Sequence, residues 1–230
     1  MLSQRESKIE DFAYDYLSSY YRKQYLVSDL YVGKQEQTKH GQEVNGLFSL
    51  KKNDGAFFAA TLSTSHSNKL AALLNNYKKK GLSKLRYITA VVVLAGTAAL
   101  GYLSGHWALL WIMPLLAAVT GFIIHTLLEV RSLNKELEKA VDAVKKQPAN
   151  ERWLGISISS MSFRNNSLAD KLLQICQQKG VGLITVGKRA KVVLLQEPRT
   201  SICRKGDYLS HYAAEVRIRK SLTDAFMKVA

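Results

Sequence analysis

Residues 87–128 read YITAVVVLAGTAALGYLSGHWALLWIMPLLAAVTGFIIHTLL, without one Asp, Glu, Lys or Arg, in a chain of 230 residues of which 22% are charged. Two apolar runs, 87–103 and 107–128, flank the connector Ser104-Gly105-His106. Each run is near the roughly 17–25 residues that a helix needs to cross the hydrocarbon core of a bilayer. A connector of this length makes the two helices antiparallel neighbours. The stretch is therefore expected to be a two-helix transmembrane hairpin, with the rest of the chain arranged around it.

A pair of buried helices in a water-soluble core is the competing reading. Such helices normally carry a polar stripe. Here the polar residues are Thr89, Thr97, Thr120, Thr126 and His125, mostly small hydroxyls that can bond back to their own helix. Pro114 is compatible with a span, since neighbouring groups in membrane helices satisfy the carbonyl that a proline leaves unbonded. Tyr102, Trp107 and Trp111 stand at the turn end and Tyr87 at the other, the placement of an interfacial aromatic belt. Gly101 and Gly105 have helix-packing spacing, but their position at the end of the first run assigns them to the turn. His125, one turn inside the second run, is placed to reach the interface.

The flanks set the orientation. Lys78, Lys79, Lys80, Lys84 and Arg86 precede the hairpin, Arg131, Lys135, Lys139, Lys145 and Lys146 follow it, and the turn has only His106. By the positive-inside rule both chain ends lie in the cytoplasm, which points to the inner (cytoplasmic) membrane. Polar sequence ahead of residue 87 argues against a cleaved leader. The formal charge of +15 asks for an anionic partner, and the lipid surface is sufficient, at about 1 kcal/mol for each basic residue near it. Nucleic acid is possible as a partner but not required by the charge. Cys176 and Cys203 make neither a disulfide framework nor a zinc site.

Removing the hairpin leaves 86 residues before it and 102 after it, neither a comfortable size for a separate α/β core. The expected organisation is a first half-domain at 1–80, the hairpin with its helical extension at 81–146, and a second half-domain at 147–230 ending in an amphipathic helix. Periodicity predicts a helix over 3–25, a strand or extended lead-in over 26–32, a polar loop over 33–42, and a hairpin of strands 43–50 and 56–63 around Asn53-Asp54-Gly55. A helix over 67–80 leads into the apolar stretch. After it, a seam of Val130, Leu133, Leu137, Ala140 and Val144 continues the second helix to Pro148, available to pack on the helix before the first run or on a neighbouring copy. Then come a strand over 153–160, a helix over 167–179 closed by Gly180, two strands around Gly187-Lys188-Arg189, and a helix over 208–229 with Leu209, Tyr212, Val216, Leu222, Phe226 and Val229 on one face. Gly180-x-Gly182 lies between a helix and a strand, the wrong order for a dinucleotide fingerprint.

Three stretches, KIEDFAYDYL (8–17), EVNGLFSL with AFFAATLS (43–50 and 56–63), and LADKLLQICQQKGVGLITVGKRAKVVLLQEPR (168–199), together resemble the restriction-endonuclease-like, or PD-(D/E)XK, nuclease superfamily. The resemblance implies an α/β (α+β) cytoplasmic domain interrupted by the transmembrane hairpin. It also implies a Mg²⁺ site built from an acid on the second strand and a Glu-x-Lys on the third, the metal activating water and the lysine orienting it. At the acid position stands Asn45, a poor ligand for a hard cation. The third strand offers Ala59 with Thr61, or Thr61 with Ser63, in place of Glu and Lys. Glu10 and Glu43 remain as carboxylates, and Lys51 or Lys69 as a displaced lysine. His66 and the hydroxyl-rich run TLSTSHSN (61–68) are solvated-loop chemistry, able at most to offer donors to a phosphate.

The expected function is a membrane-anchored, non-catalytic nuclease-like domain that scaffolds or recruits partners as a homo-oligomer or within a larger membrane assembly, without a cofactor. The alternatives are a membrane-tethered, Mg²⁺-dependent nuclease, for example in defence against foreign nucleic acid, and a protein that binds nucleic acid without cutting it.

Overall fold

The computed structural model describes residues 3–104, 107–187, 191–204 and 206–224, and at 3–9, 104, 107–110 and 224 it describes the backbone alone. Gly105 and His106, the Lys188-Arg189 turn, Phe226, Val229 and the side chains of Ile9 and Trp107 thus lie outside the described residues. Contacts divide the chain into two units, Met1–Asn75 with Leu137–Ala230, and Asn76–Glu136.

The first unit opens with α1 (Ser3–Tyr25), followed by β1 (Tyr31–Gln37), β2 (Glu43–Lys51), β3 (Phe57–Ser63) and α2 (Ser67–Lys80), whose last residues pass into the second unit. The chain returns with β4 (Glu151–Ile156), α5 (Ser167–Lys179), β5 (Gly182–Val186), β6 (Val192–Gln196) and α6 (Glu215–Asp224). The six strands form one mixed sheet in sequence order. β1, β2 and β3 are an antiparallel meander, β3–β4 and β4–β5 are parallel, and β6 returns antiparallel to β5. Parallel neighbours need crossover connections: α5 supplies the second, and the whole apolar stretch lies within the first.

Local chemistry accounts for the joints. Between β2 and β3, Gly55 takes φ 83° and its N–H donates to Lys52 O, while Asp54 Oδ1 accepts from Ala56 N. Asn166 caps the start of α5 and Gly180, at φ 71°, closes its end. Side chains alternate across each strand, so the sheet has two apolar faces. Phe48, Leu50, Phe58, Ala60, Leu62, Trp153, Ile184 and Val186 meet Ala13, Tyr14, Leu17 and Tyr21 of α1. Leu47 and Ala59, with Val44, meet Leu209, Tyr212, Ile218 and Leu222.

Val44 and Leu47 sit three positions apart yet share a cluster, so β2 breaks its alternation between them. Pairing with β1 skips Gln35 opposite Asn45, and Gln35 has φ 54°. This irregularity re-aims Asn45.

The second unit holds α3 (Leu85–Ser104) and most of α4 (Trp107–Lys145). Both helices are long and apolar enough to cross a membrane, and their most apolar windows are only 6% and 11% buried. Val91, Val92, Leu100, Leu115 and Leu116 stand exposed. Thr89, Thr97 and Thr126 donate to carbonyls of their own helices, and Gly121 of α4 lies against Val93 of α3. From Leu137 onward α4 belongs to the first unit, where Leu137, Ala140, Val141 and Val144 are buried.

Three boundaries differ from those that periodicity predicts. The strand placed at 26–32 lies at Tyr31–Gln37, within the expected loop. The polar run GKQEQ has little strand propensity, but the edge of β2 offers it a ladder. Its Glu36 is buried against the Tyr31 hydroxyl and Arg217. The strand expected over 153–160 spans Glu151–Ile156 and gives way to a 3-10 turn at Ser160–Ser162. The expected helix over 208–229 is a 3-10 turn at Tyr208–His211 and then α6. Between them the chain is extended, bridging Tyr212 to Thr38 with Lys39 N donating to His211 O and Ala213 N to Gln37 O.

Candidate functional site

β3 and β4 run parallel, and the crevice beyond their carboxyl ends is where α/β sheets commonly bind ligands. A cleft of about 160 Å³ lies there, lined by Glu10, Asn45, Thr64, Ser65, Ser67, Asn68 and Ser157. α1 brings Glu10, the irregular turn of β2 brings Asn45, the β3–α2 junction brings the hydroxyls, and the end of β4 brings Ser157.

The walls are held by their own hydrogen bonds. The Thr64 hydroxyl donates to Glu10 Oε1. Its backbone N–H donates to Asn45 Oδ1 at 3.1 Å. The Tyr14 hydroxyl donates to the Asn45 carbonyl, and Gly46 makes room for this, because a Cβ there would stand 2.5 Å from the Tyr14 ring. Ser157 N donates to Ser67 Oγ at 2.7 Å, and the Ser63 and Ser65 hydroxyls lie 3.2 Å apart. Burial, and secondarily the carboxylates of Glu10 and Asp11, push the Tyr14 phenol well above its ordinary range, so it stays a neutral donor.

The lining contains one carboxylate and no Lys, Arg or His. The Asn45 amide oxygen is already engaged by Thr64 N–H. A hard divalent cation prefers six or more oxygens, several of them anionic, and among the described residues no three His, Cys, Asp or Glu side chains gather to hold a metal ion. The donor set does not fit Mg²⁺. It suits hydrogen bonding to a neutral or donor-rich group.

Of the residues singled out from sequence, Glu10 and Asn45 meet in this cleft, although 35 positions separate them in the chain. Glu43 does not: it is exposed, beside Gln37 Nε2 at 3.4 Å. Lys69 is exposed on α2 and Lys51 ends β2; neither lines the cleft, and nor does His66. Ala59 and Thr61 are buried in the sheet. Tyr14 and Ser157 were not anticipated, since their roles depend on strand pairing. Thr64, Ser65, Ser67 and Asn68 belong to the hydroxyl-rich run, whose composition was the available signal.

At the base of the apolar helices, Lys78, Lys79, Lys80, Lys84 and Arg131 are exposed. Arg86 is half-buried, its guanidinium 5.1 Å from the Tyr87 ring and 5.4 Å from that of Phe122. Tyr87, Tyr102 and Trp111 are exposed. No family model, curated protein or solved structure matches the chain.

Proposed function

We propose that this chain is a membrane-anchored protein whose α/β domain, restriction-endonuclease-like in architecture, does not cleave nucleic acid and acts as a scaffold or interaction subunit at the cytoplasmic face of the inner membrane. It works as a homo-oligomer or within a larger membrane assembly. The observation that carries this reading is the cleft: Glu10 and Asn45 come together at the carboxyl ends of β3 and β4, yet the lining holds a single carboxylate and no lysine. With α3 and α4 set aside, the order α1-β1-β2-β3-α2-β4 with an antiparallel meander and a parallel β3–β4 pair supports the kinship. The uncovered apolar surface of α3 and α4 supports the anchor, and the basic residues at their base support the orientation.

Two measurements test it. Full-length protein in detergent is incubated with DNA and with RNA in millimolar Mg²⁺ or Mn²⁺; no cleavage is expected, and cleavage abolished by Glu10→Gln overturns the non-catalytic reading. Membranes carrying the protein are washed with alkaline carbonate; the chain is expected to stay in the pellet, and its release overturns the anchor. A pull-down of the solubilised protein then names the subunits it holds.

A further inference from the structure

Ser83, Arg86, Tyr87, Thr89, Phe122, His125 and Glu129 gather where α3 begins and where the uncharged part of α4 ends. Ser83 N donates to Glu129 Oε1 at 2.6 Å, and Thr89 Oγ lies 3.3 Å from His125 Nδ1. The charges are less well served. Arg86 Nε and Glu129 Oε2 are both buried without a hydrogen-bond partner, and among the described residues the two side chains form no ion pair with each other or with any other group. Among the described residues the Arg86 guanidinium makes one hydrogen bond, a long one, from Nη2 to the Tyr87 hydroxyl at 3.4 Å. A buried polar atom without a partner is costly, and a cation and an anion on adjacent helices, each carrying one such atom, suit a ligand with both signs.

We propose that this place binds the headgroup of an amine-bearing phospholipid, with the phosphate on Arg86 and the ammonium on Glu129. The proposal rests on the membrane-anchored reading, under which Arg86 and Glu129 flank the uncharged stretch at headgroup level. A guanidinium pairs with phosphate through directed N–H donors, and Tyr87 and Phe122 hold this one in place by stacking. A primary ammonium can donate to the carboxylate; choline has the same charge but no N–H, and phosphoglycerol has no cation. The chemistry therefore selects phosphoethanolamine over phosphocholine and phosphoglycerol.

The full chain in detergent is titrated with dihexanoyl phosphatidylethanolamine, phosphatidylcholine and phosphatidylglycerol, and binding is read by native mass spectrometry. The ethanolamine lipid is expected to bind about tenfold more tightly than the choline lipid, the size of one charged hydrogen bond. Glu129→Gln keeps an acceptor for Ser83 N and so the local fold, checked by circular dichroism, but is expected to bind the two equally. Arg86→Gln is expected to weaken binding of all three lipids. Equal binding by the parent protein, or a preference that survives Glu129→Gln, overturns the proposal. If carbonate strips the chain from membranes, the anchored reading and this site fall together; an anchored chain without headgroup preference sinks the site alone.

Discussion

The Tyr21 hydroxyl donates to Glu151 Oε2 at 2.8 Å, joining residues 130 positions apart. Trp153 Nε1 donates to the same hydroxyl at 2.6 Å, and Thr200 donates to Glu151 Oε1 at 2.7 Å. Glu151 is 2% exposed, so its carboxyl oxygens are met by hydroxyls rather than water. The first helix and the first strand after the apolar helices are thereby parts of one core.

Tyr21→Phe removes the hydroxyl and leaves both the Trp153 indole N–H and one oxygen of Glu151 without this partner. A loss of about 1–3 kcal/mol is expected, measured by denaturant unfolding of the detergent-solubilised protein. A change within about 0.5 kcal/mol, the usual range of an indifferent surface site, contradicts a structural role for the network.

Gly182→Ala places a Cβ 2.5 Å from the Trp153 ring and 2.9 Å from Pro198 Cδ. Neither ring can retreat without disturbing the sheet. Overpacking of this kind costs about 1–3 kcal/mol, and a lowered thermal midpoint is expected. If the variant melts with the parent protein, β5 and the segment after β6 pack less tightly than described.

Alkaline pH should unfold the first unit. Burial, reinforced by Glu197 and Glu151 for Tyr20 and by Glu151 and Tyr20 for Tyr25, raises these phenols to about 12. Burial first of all lifts Tyr14, Tyr21 and Tyr212 too. Each folded value lies above the unfolded value of 10.0, so the stability linked to these groups is complete below pH 10 and is lost progressively as pH rises through 12 and beyond. Thermal midpoints measured across that range should fall together with the appearance of phenolate absorbance. Ionisation of all 11 tyrosines near pH 10 with the helix signal intact disproves the linkage.

Asn45→Asp keeps an acceptor for Thr64 N–H and sets a second carboxylate in the cleft with Glu10. Mg²⁺ binding by calorimetry should become measurable at millimolar concentration where the parent protein shows none, because each added carboxylate strengthens a hard-cation site. Cleavage of nucleic acid should still be absent, since no lysine lines the cleft. Cleavage by the variant shows that a lysine reaches the site after all.

The apolar pair of helices, the β2–β3 turn and both ends of α5 were legible in advance because their signals are local: an uncharged run, Asn53-Asp54-Gly55, and Gly180 after the last apolar turn. β1 was not, since GKQEQ becomes a strand only beside an available edge. The C-terminal break was not legible either, because bonds to Gln37 and Lys39 hold the chain extended around Tyr212. For the cleft, residue types told half: Glu10, Asn45 and the hydroxyl-rich run were visible, and Tyr14 and Ser157 were not.

Hydropathy, length and turn chemistry act over a few residues, and they suffice to establish two long apolar helices set within a mixed α/β chain. Which residues meet was decided by folding: Glu10 with Asn45, Tyr21 with Glu151, Ser83 with Glu129. Those encounters depend on strand order, on a break in β2 at Asn45 and on how α3 lies against α4, and their energies come from partners too far apart in sequence for any local pattern to record.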